Sequence, residues 1–122
     1  MAAVGIIATS TLTNIGFNAI WYDSEYLAWN STDKIFTAKK AMSIRTYIMA
    51  KGCYTSSGSL VNATSYLYKN NSNAGSVTST STTFAGTEVD ITLAVNDTFC
   101  LKAKNTTANS TNRSVVTLSV RF

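Results

Sequence analysis

Apolar and polar residues alternate along several stretches of this chain with the period of two that is typical of β-strands. The clearest stretch runs from residue 42 to residue 50 and places Ile44 and Ile48 on one face. Residues 88–95 and 115–122 alternate in the same way. Each of these stretches is predicted to be a strand with one face in a hydrophobic core.

The segments between these strands read as shorter strands and polar turns. Further strands are predicted at 35–38 and 66–70, and the threonine-rich segment 76–83 is predicted to be an edge strand. Ser, Thr, Asn and Gly dominate the predicted linkers, which are 52–62, 69–76, 79–87 and 104–114. No stretch after residue 16 has the periodicity of a helix. The fold class predicted by this pattern is an all-β, antiparallel β-sandwich.

Composition indicates one folded domain with a largely uncharged surface. Hydrophobic residues make up 45% of the 122 residues, and charged residues make up 13%, about half the usual share. The 15 serines, 19 threonines and 11 asparagines supply most of the polar surface. Disordered chains combine low hydrophobicity with high net charge, and this sequence has neither. A chain of this length forms one domain with one core.

The charge pattern argues against nucleic acid and membranes as partners. The net charge of +4 comes from ten basic residues spread from Lys34 to Arg121. Nucleic-acid binding requires clustered cations, so we expect no nucleic-acid partner. No apolar run approaches the ~20 residues of a membrane-spanning helix, so we expect no membrane partner. The apolar start of the chain also lacks the basic residues and the length of a secretory signal.

The sequence offers little for catalysis, metal binding or a cofactor. It contains no histidine, the commonest general base and a common metal ligand. Glu88 and Asp90 share one strand face, but the catalytic carboxylates of glycosidases flank a cleft, and Arg45 on a neighbouring strand would pair with them. We therefore expect no enzyme, no cofactor and no metal site. The alternative is calcium bound by Asp23, Asp90 or Asp97.

The two cysteines are predicted to be free thiols. Alternation places Phe99 and Leu101 on one face and Cys100 on the other, and Cys53 falls in a loop or on an outer face. Cysteines that face outward from opposite sheets cannot reach the roughly 4.4–6.8 Å Cα separation of a disulfide. One disulfide between them is the alternative.

The first 15 residues are predicted to lie outside the sandwich, which then spans residues 16–122. They are rich in small and apolar types and show no clear period. An apolar terminus of this kind predicts a docking arm, with Val4, Ile6 and Ile7 as its contacts to a larger assembly. A frayed terminus is the alternative.

Two groups of aromatic residues are candidates for binding. Tyr47 and Met49 lie on the strand face opposite Ile44 and Ile48. An apolar outer face of this kind indicates oligomerisation. A second group belongs either to the core or to a sugar-binding platform, and it comprises Trp21, Tyr22, Tyr26 and Trp29.

An ordered series of short motifs resembles the tumour necrosis factor and complement globular-head superfamily. The series covers residues 16–122 and comprises Phe17-Asn18, Tyr22-Asp23, Phe36-Thr37-Ala38, Tyr66-Leu67-Tyr68-Lys69-Asn70, the strand Val89 to Val95 followed by Asn96-Asp97-Thr98-Phe99, and the closing strand. The resemblance implies a ten-stranded jelly roll that assembles into a compact homotrimer.

The resemblance also implies where contacts are made. The strands that face or flank the threefold axis would form the trimer interface with Arg45, Tyr47, Met49, Glu88 and Asp90. Loops 51–62, 81–87 and 104–113 would lie at the apex, and loops 69–76 and 96–97 at the base. The apex residues expected to bind a ligand are Tyr54, Phe84, Asn105, Asn109 and Arg113.

Modules that resemble this one also occur on bacteriophage particles, as fibre heads, decoration proteins and receptor-binding tips. We therefore expect a structural protein of the virion surface, of the capsid decoration or head-fibre type. Its N-terminal arm would anchor it to a capsid or tail protein of the same particle. One alternative is a receptor- or glycan-binding tip module or lectin-like protein, with a host surface glycan or receptor as its partner. Another is a cytokine-like or complement-like ligand, which would require export.

Overall fold

A computed structural model describes residues 2–7, 12–17, 19–55, 57–106 and 114–121. The strands in these ranges are β1 (Ala2–Ile7), β2 (Thr13–Asn14), β3 (Ala19–Trp21), β4 (Leu27–Asn30), β5 (Ile35–Ala38), β6 (Met42–Lys51), β7 (Cys53–Tyr54), β8 (Leu60–Val61), β9 (Ala63–Lys69), β10 (Ser72–Ser79), β11 (Ala85–Leu93), β12 (Thr98–Asn105) and β13 (Ser114–Arg121). The same ranges contain no helix long and apolar enough to cross a membrane.

The strands form two antiparallel sheets with a shared core. Sheet I has the order β11-β6-β13-β1-β3, and sheet II has the order β10-β9-β12-β5-β4. β2 also pairs with β12, and β7 pairs with β8 in a separate two-stranded sheet. Because most neighbours in a sheet are distant in sequence, the chain crosses repeatedly between the sheets, as in a jelly roll. The predicted all-β jelly roll is confirmed.

Alternation divides each sheet into a core face and an outer face. On β6, Ile44 and Ile48 are buried, whereas Tyr47 between them is 41% exposed. The same pattern buries the predicted core residues of β11 and β13, which are Val89, Ile91, Leu93, Val116, Leu118 and Val120. The alternation predicts that Val95 continues the core face, but this residue follows the end of β11 in a turn and is exposed.

Phe36 on β5 stands at the centre of an aromatic cluster in the core. Its ring is stacked on Phe99 with centroids 5.1 Å apart and lies 4.5 Å from Trp29. Tyr22 meets it edge-on at 5.9 Å. Both geometries are favourable for aromatic pairs. Tyr22 and Trp29 therefore pack against the core, while the side chain of Trp21 lies outside the described part of the chain.

The N-terminal segment forms a strand inside sheet I. β1 pairs with β13 along six residue pairs and with β3 along three. Gly5 of β1 is buried, and Ile15 packs where a side chain at this position would lie. The sequence predicts an arm outside the domain, whereas this pairing places residues 2–7 within the sheet. The docking role stays a prediction for Val4, Ile6 and Ile7.

Two asparagines close the hairpin between β9 and β10. Asn70 and Asn71 have φ angles of 47° and 67°. A two-residue hairpin turn of this type requires positive φ at both central positions, which asparagine tolerates better than most residues. β10 therefore starts at residue 72, inside the predicted linker 69–76. The predicted edge strand does lie at the edge of sheet II, but it spans residues 72–79.

Candidate assembly and binding surfaces

The outer face of sheet I comprises the outward residues of β6, β11 and β13. It holds all five residues predicted for a trimer interface, which are Arg45, Tyr47, Met49, Glu88 and Asp90. The strand register sets Glu88 beside Tyr47 and Asp90 beside Arg45. The structure therefore gathers these residues on one continuous surface. Their role in a trimer stays a prediction.

Tyr47 leans across this face towards Gly86 on β11. A Cβ atom on Gly86 would lie 2.6 Å from Cζ of Tyr47, well inside van der Waals contact. The missing side chain at Gly86 therefore leaves room for the phenol ring against the backbone of β11. Gly86 is also the register partner of Met49. The ring of Tyr47 and the half-buried side chain of Met49 consequently occupy adjoining positions.

The register partners of Met49 form a row that runs across the strands of sheet I. Thr117 on β13 is the register partner of Met49, and Val4 on β1 is the register partner of Thr117. In the next row, Val115 is the partner of Ile6. Thr117 and Val115 are half-buried. At this end of the outer face, Met49, Thr117 and Val115 thus carry no formal charge.

Arg45 and Asp90 form a two-point ion pair towards the other end of the face. Arg45 Nε donates to Asp90 Oδ1 at 2.9 Å, and Nη2 donates to Oδ2 at 3.1 Å. Glu88 Oε2 lies farther away, 3.8 Å from Arg45 Nη1. The hydrogen bond with Arg45 lowers the pKa of Asp90, and the same bond raises the pKa of Arg45. The cross-strand pairing predicted for Arg45 is confirmed.

An open cavity of about 510 Å³ lies beside this ion pair. Arg45, Asp90 and Arg121 line it, together with hydroxyl-bearing residues of β6 and β11. Arg121 is the register partner of Arg45 and forms no ion pair with any residue that the structure describes. Because Asp90 already pairs with Arg45, Arg121 is the guanidinium at this cavity that no described carboxylate neutralises.

Backbone hydrogen bonds gather the predicted apex loops at one end of the sandwich. Gly52 N donates to Ser81 O, and Thr106 N donates to Asn62 O, each at 2.9 Å. These bonds connect the loop after β6 to the loop after β10, and the start of β9 to the end of β12. The grouping implied by the family resemblance is therefore present in the described part of these loops.

Two of the predicted apex residues are exposed aromatic side chains. Tyr54 is 52% exposed and Phe84 is 44% exposed. Lys51 Nζ lies 5.5 Å from the ring centroid of Phe84, within the range of a cation–π contact. This end of the molecule thus presents two aromatic rings and a cation to solvent.

The other predicted apex residues do not extend this surface. Asn105 is the last residue of β12 and is only 2% exposed, because the alternation places it on the core side with Ala103. The expectation that Asn105 faces solvent is therefore wrong. Asn109 and Arg113 lie outside the residues that the structure describes.

Asp97 organises the opposite end of the sandwich. Its Oδ2 accepts a hydrogen bond from Ala94 N at 2.8 Å, and its Oδ1 accepts one from Asn70 Nδ2 at 3.1 Å. These two bonds, the backbone one first, lower the pKa of Asp97. Asp97 therefore joins the turn after β9 to the turn after β11. Among the described residues, no group of three or more acidic, cysteine or histidine side chains is placed to hold a metal ion.

Comparison with solved structures identifies the fold. Two structures of murine APRIL, at pH 8.5 and pH 8.0, match with TM-scores of 0.59 and 0.57. Each match covers 98% of this chain and 99% of the APRIL chain, at 10% and 8% identity. APRIL is a jelly-roll protein of the tumour necrosis factor family. The fold is a tumour necrosis factor-like jelly roll.

This result confirms the resemblance drawn from the motif series. At identities of 8–10%, the likeness shows the fold of this chain and not its activity. No family model matches the sequence, and no curated protein matches it.

Both cysteines of this jelly roll are free thiols, as predicted, but neither faces open solvent. Cys100 lies on the outer side of sheet II and is covered there, with its Sγ 3.9 Å from Asn14 Oδ1. Burial raises the pKa of the Cys100 thiol. Cys53 is also buried, with its Sγ 3.5 Å from Ser114 Oγ. Cys100 therefore faces outward from its sheet, as predicted, but is buried there, and Cys53 is buried as well.

The outer face of sheet II carries candidate binding residues that the sequence analysis does not single out. Tyr66 and Tyr68 share one side of β9, opposite the buried Leu67. Lys102 Nζ on β12 lies 4.7 Å from the ring centroid of Tyr68. The alternation around Leu67 does predict that the two tyrosines point the same way. The sequence does not predict that Lys102 lies beside these tyrosines, because its position depends on the pairing of β9 with β12.

Proposed function

We propose that this chain is a structural module that assembles as a homotrimer through the outer face of sheet I. The observation that carries the proposal is the exposed ring of Tyr47 over Gly86, at the centre of that face. An exposed aromatic side chain beside half-buried apolar residues is typical of a protein–protein contact. The tumour necrosis factor-like fold adds the expectation that the contact is made between copies of the same chain.

The charges on this face suit a second copy as the partner. Arg45 is held by Asp90, while Glu88 lies 3.8 Å away and Arg121 has no acidic partner among the described residues. In a cyclic trimer each contact joins two different patches, so an acidic group on one protomer can meet a cation on the next. In the trimer, Arg121 of one protomer pairs with Glu88 of the next.

Solution mass tests the trimer directly. Multi-angle light scattering on the full chain should give about three times the protomer mass of 13.1 kDa. The double substitution Tyr47→Ser with Met49→Ser should shift the chain to monomer. Tyr54→Ser removes a tyrosine of similar exposure at the apex and is the matched control, which should stay trimeric. A monomeric wild-type chain would contradict the proposal.

Within this class, we propose that the protein belongs to the surface of a bacteriophage virion, as a capsid decoration or head-fibre protein. The support is the low share of charged residues and the surface of neutral hydroxyl and amide groups on a small β-only module. Val4, Ile6 and Ile7 of β1 would attach it to a capsid or tail protein. Mass spectrometry of purified particles from the genome that encodes the chain should detect it in stoichiometric amounts. Its absence from those particles would refute the virion role.

A receptor- or glycan-binding tip module is the second candidate, favoured by the exposed rings of Tyr54 and Phe84 at the apex. Binding at the apex predicts that Tyr54→Ser and Phe84→Ser each reduce adsorption to host cells while leaving the trimer intact. Unchanged adsorption in both variants would remove this candidate.

A further inference from the structure

Tyr66 and Tyr68 form an aromatic pair on the outer face of sheet II. Their ring centroids are 6.3 Å apart, and the ring planes meet at 64°. Both side chains are only half-buried, although neither contributes to the core on the other side of β9. Tyrosine offers an apolar ring for packing and a hydroxyl for hydrogen bonding, so it is well suited to partly polar ligands.

Two lysines stand beside this pair. Lys102 is the register partner of Tyr66 and extends its ammonium group over the ring of Tyr68, 4.7 Å from the centroid. Lys104 follows two residues later and is exposed on the same face. No described carboxylate lies within 4.0 Å of either ammonium group. The two cations are therefore available to a negatively charged ligand.

Hydroxyl groups border the lysines and tyrosines. Thr64 is the register partner of Lys104, and its Oγ1 lies 2.8 Å from Oγ1 of Thr78 on β10. Ser76 on β10 is exposed and is the register partner of Tyr66. The surface thus combines aromatic rings, ammonium groups and hydroxyls across three neighbouring strands.

We propose that this surface binds an acidic polysaccharide, a chain of sugars that carry carboxylates. The C–H groups of the sugar rings pack against Tyr66 and Tyr68, and the carboxylates pair with Lys102 and Lys104. The sugar hydroxyls exchange hydrogen bonds with the threonine and serine hydroxyls. Nucleic acid fits less well, because a strand of phosphates requires more clustered cations than two lysines provide.

This site is independent of the proposed trimer. Sheet I and sheet II present their outer faces on opposite sides of the core, so assembly through sheet I leaves Tyr66 and Lys102 accessible. Tyr54 belongs to β7 and Phe84 to the loop after β10, so neither lies on the three strands that form the site. An experiment can therefore show the loss of ligand binding at this site independently of the loss of the trimer and of binding at the apex.

Isothermal titration calorimetry of the full chain with oligogalacturonic acid tests the proposal. Wild-type protein should bind, and added salt should weaken the binding because it screens the lysine–carboxylate attraction. The double substitution Lys102→Gln with Lys104→Gln should weaken binding at least about tenfold, which corresponds to about 1.4 kcal/mol. Tyr68→Leu should weaken it as well, since it removes the ring beneath Lys102. Circular dichroism checks that each variant is folded.

Lys51→Gln is the matched control, because Lys51 also lies over an aromatic ring, that of Phe84 at the apex. It should bind like the wild type, and binding lost in this variant instead would move the site to the apex. Equal binding of a neutral glucan would contradict the role of the lysines. Equal or tighter binding of a single-stranded oligothymidylate of the same charge would overturn the proposal in favour of nucleic acid. No heat of binding with oligogalacturonic acid would refute it.

Discussion

Tyr47 on β6 places its ring over the backbone of Gly86 on β11, where a Cβ atom would lie 2.6 Å from Tyr47 Cζ. The substitution Gly86→Ala therefore displaces the ring from its position on the outer face of sheet I. Both residues are exposed, so the free energy of unfolding should change by less than about 1 kcal/mol. If the chain assembles through this face, the dissociation constant of the trimer should rise about tenfold, because the displaced ring no longer fills the centre of the contact. Sedimentation equilibrium measures this constant.

Tyr47→Phe is the control for this prediction, because it keeps the ring and removes only the hydroxyl. It should leave the trimer close to wild type. A trimer that is equally stable in Gly86→Ala and in the wild type would show that the ring position over Gly86 is not part of the contact.

Gly52 joins the loop after β6 to two other backbone segments. A Cβ atom at this position would lie 2.6 Å from both Ser81 O and Val61 O, and backbone atoms cannot move aside as the end of a flexible side chain can. Gly52→Ala should therefore lower the free energy of unfolding by about 1–3 kcal/mol, the usual cost of overpacking. Urea denaturation followed by tryptophan fluorescence measures the change.

Gly16→Ala provides the comparison for Gly52. Its Cβ atom would lie 3.2 Å from Cε of Lys34, a flexible side chain on the surface that can shift. The free energy of unfolding should stay within about 0.5 kcal/mol of the wild type. Equal losses for the two alanine variants would mean that contact with the backbone is not what makes Gly52 necessary.

Phe36 holds the aromatic cluster together, with Trp29 and Phe99 on either side at 4.5 and 5.1 Å. Phe36→Ala leaves a cavity among these rings and should lower the free energy of unfolding by about 3–5 kcal/mol. Phe84→Ala removes a ring that is 44% exposed and should cost less than about 1 kcal/mol. Similar midpoints of urea unfolding for the two variants would contradict the central role of Phe36.

The strands that have one face in the core could be predicted from the sequence. β6, β11 and β13 alternate strictly, and their predicted core residues, such as Ile48 and Leu118, are buried. The sequence does not predict β1 as part of the sheet, because its small residues carry little alternation and its main partner, β13, lies at the other end of the chain. β10 begins earlier than predicted because Asn70 and Asn71 form a turn that a count of polar residues does not reveal.

The residues of the candidate sites also divide into those that the sequence predicts and those that only the strand pairing reveals. Tyr47 and Met49 could be predicted, because each lies on a strand whose opposite face is clearly apolar. Lys102 beside Tyr68 could not, because about thirty residues separate them and only the β9–β12 register brings them together. The polar linker predicted at 104–114 places Asn105 in a loop, but β12 extends far enough to bury it.

Because β1 pairs with a strand on each side, its removal should destabilise the fold. Deletion of residues 2–7 removes the partner of both β13 and β3 and leaves their backbone groups without hydrogen bonds. The loss should be about 5 kcal/mol or more, which is comparable to the whole stability of a small domain. Circular dichroism and thermal melting of the shortened chain should show no cooperative unfolding. A cooperative transition at the wild-type temperature would contradict the role of β1.

A substitution that preserves β1 is therefore the better test of docking. Val4→Thr with Ile6→Thr keeps β-branched residues, so the strand should form and the melting temperature should change little. If β1 attaches the protein to a virion, this variant should bind purified particles less tightly than the wild type. Unchanged binding would assign attachment to another part of the surface.

The hydrogen bonds to Asp97 predict how acid affects stability. Because the bonds from Ala94 N and Asn70 Nδ2 lower its folded pKa below the unfolded value of about 3.9, its stabilising effect is full above about pH 5 and is lost as the pH falls through the folded pKa. At neutral pH, Asp97→Asn should have a lower melting temperature than the wild type. The difference between the two melting temperatures should shrink towards about pH 2. Glu88→Gln removes a carboxylate that lies 3.8 Å from Arg45 Nη1, and it should lower the melting temperature at neutral pH by less than Asp97→Asn does. A gap for Asp97→Asn that stays constant from neutral pH to about pH 2 would show that the amide disturbs the turn sterically.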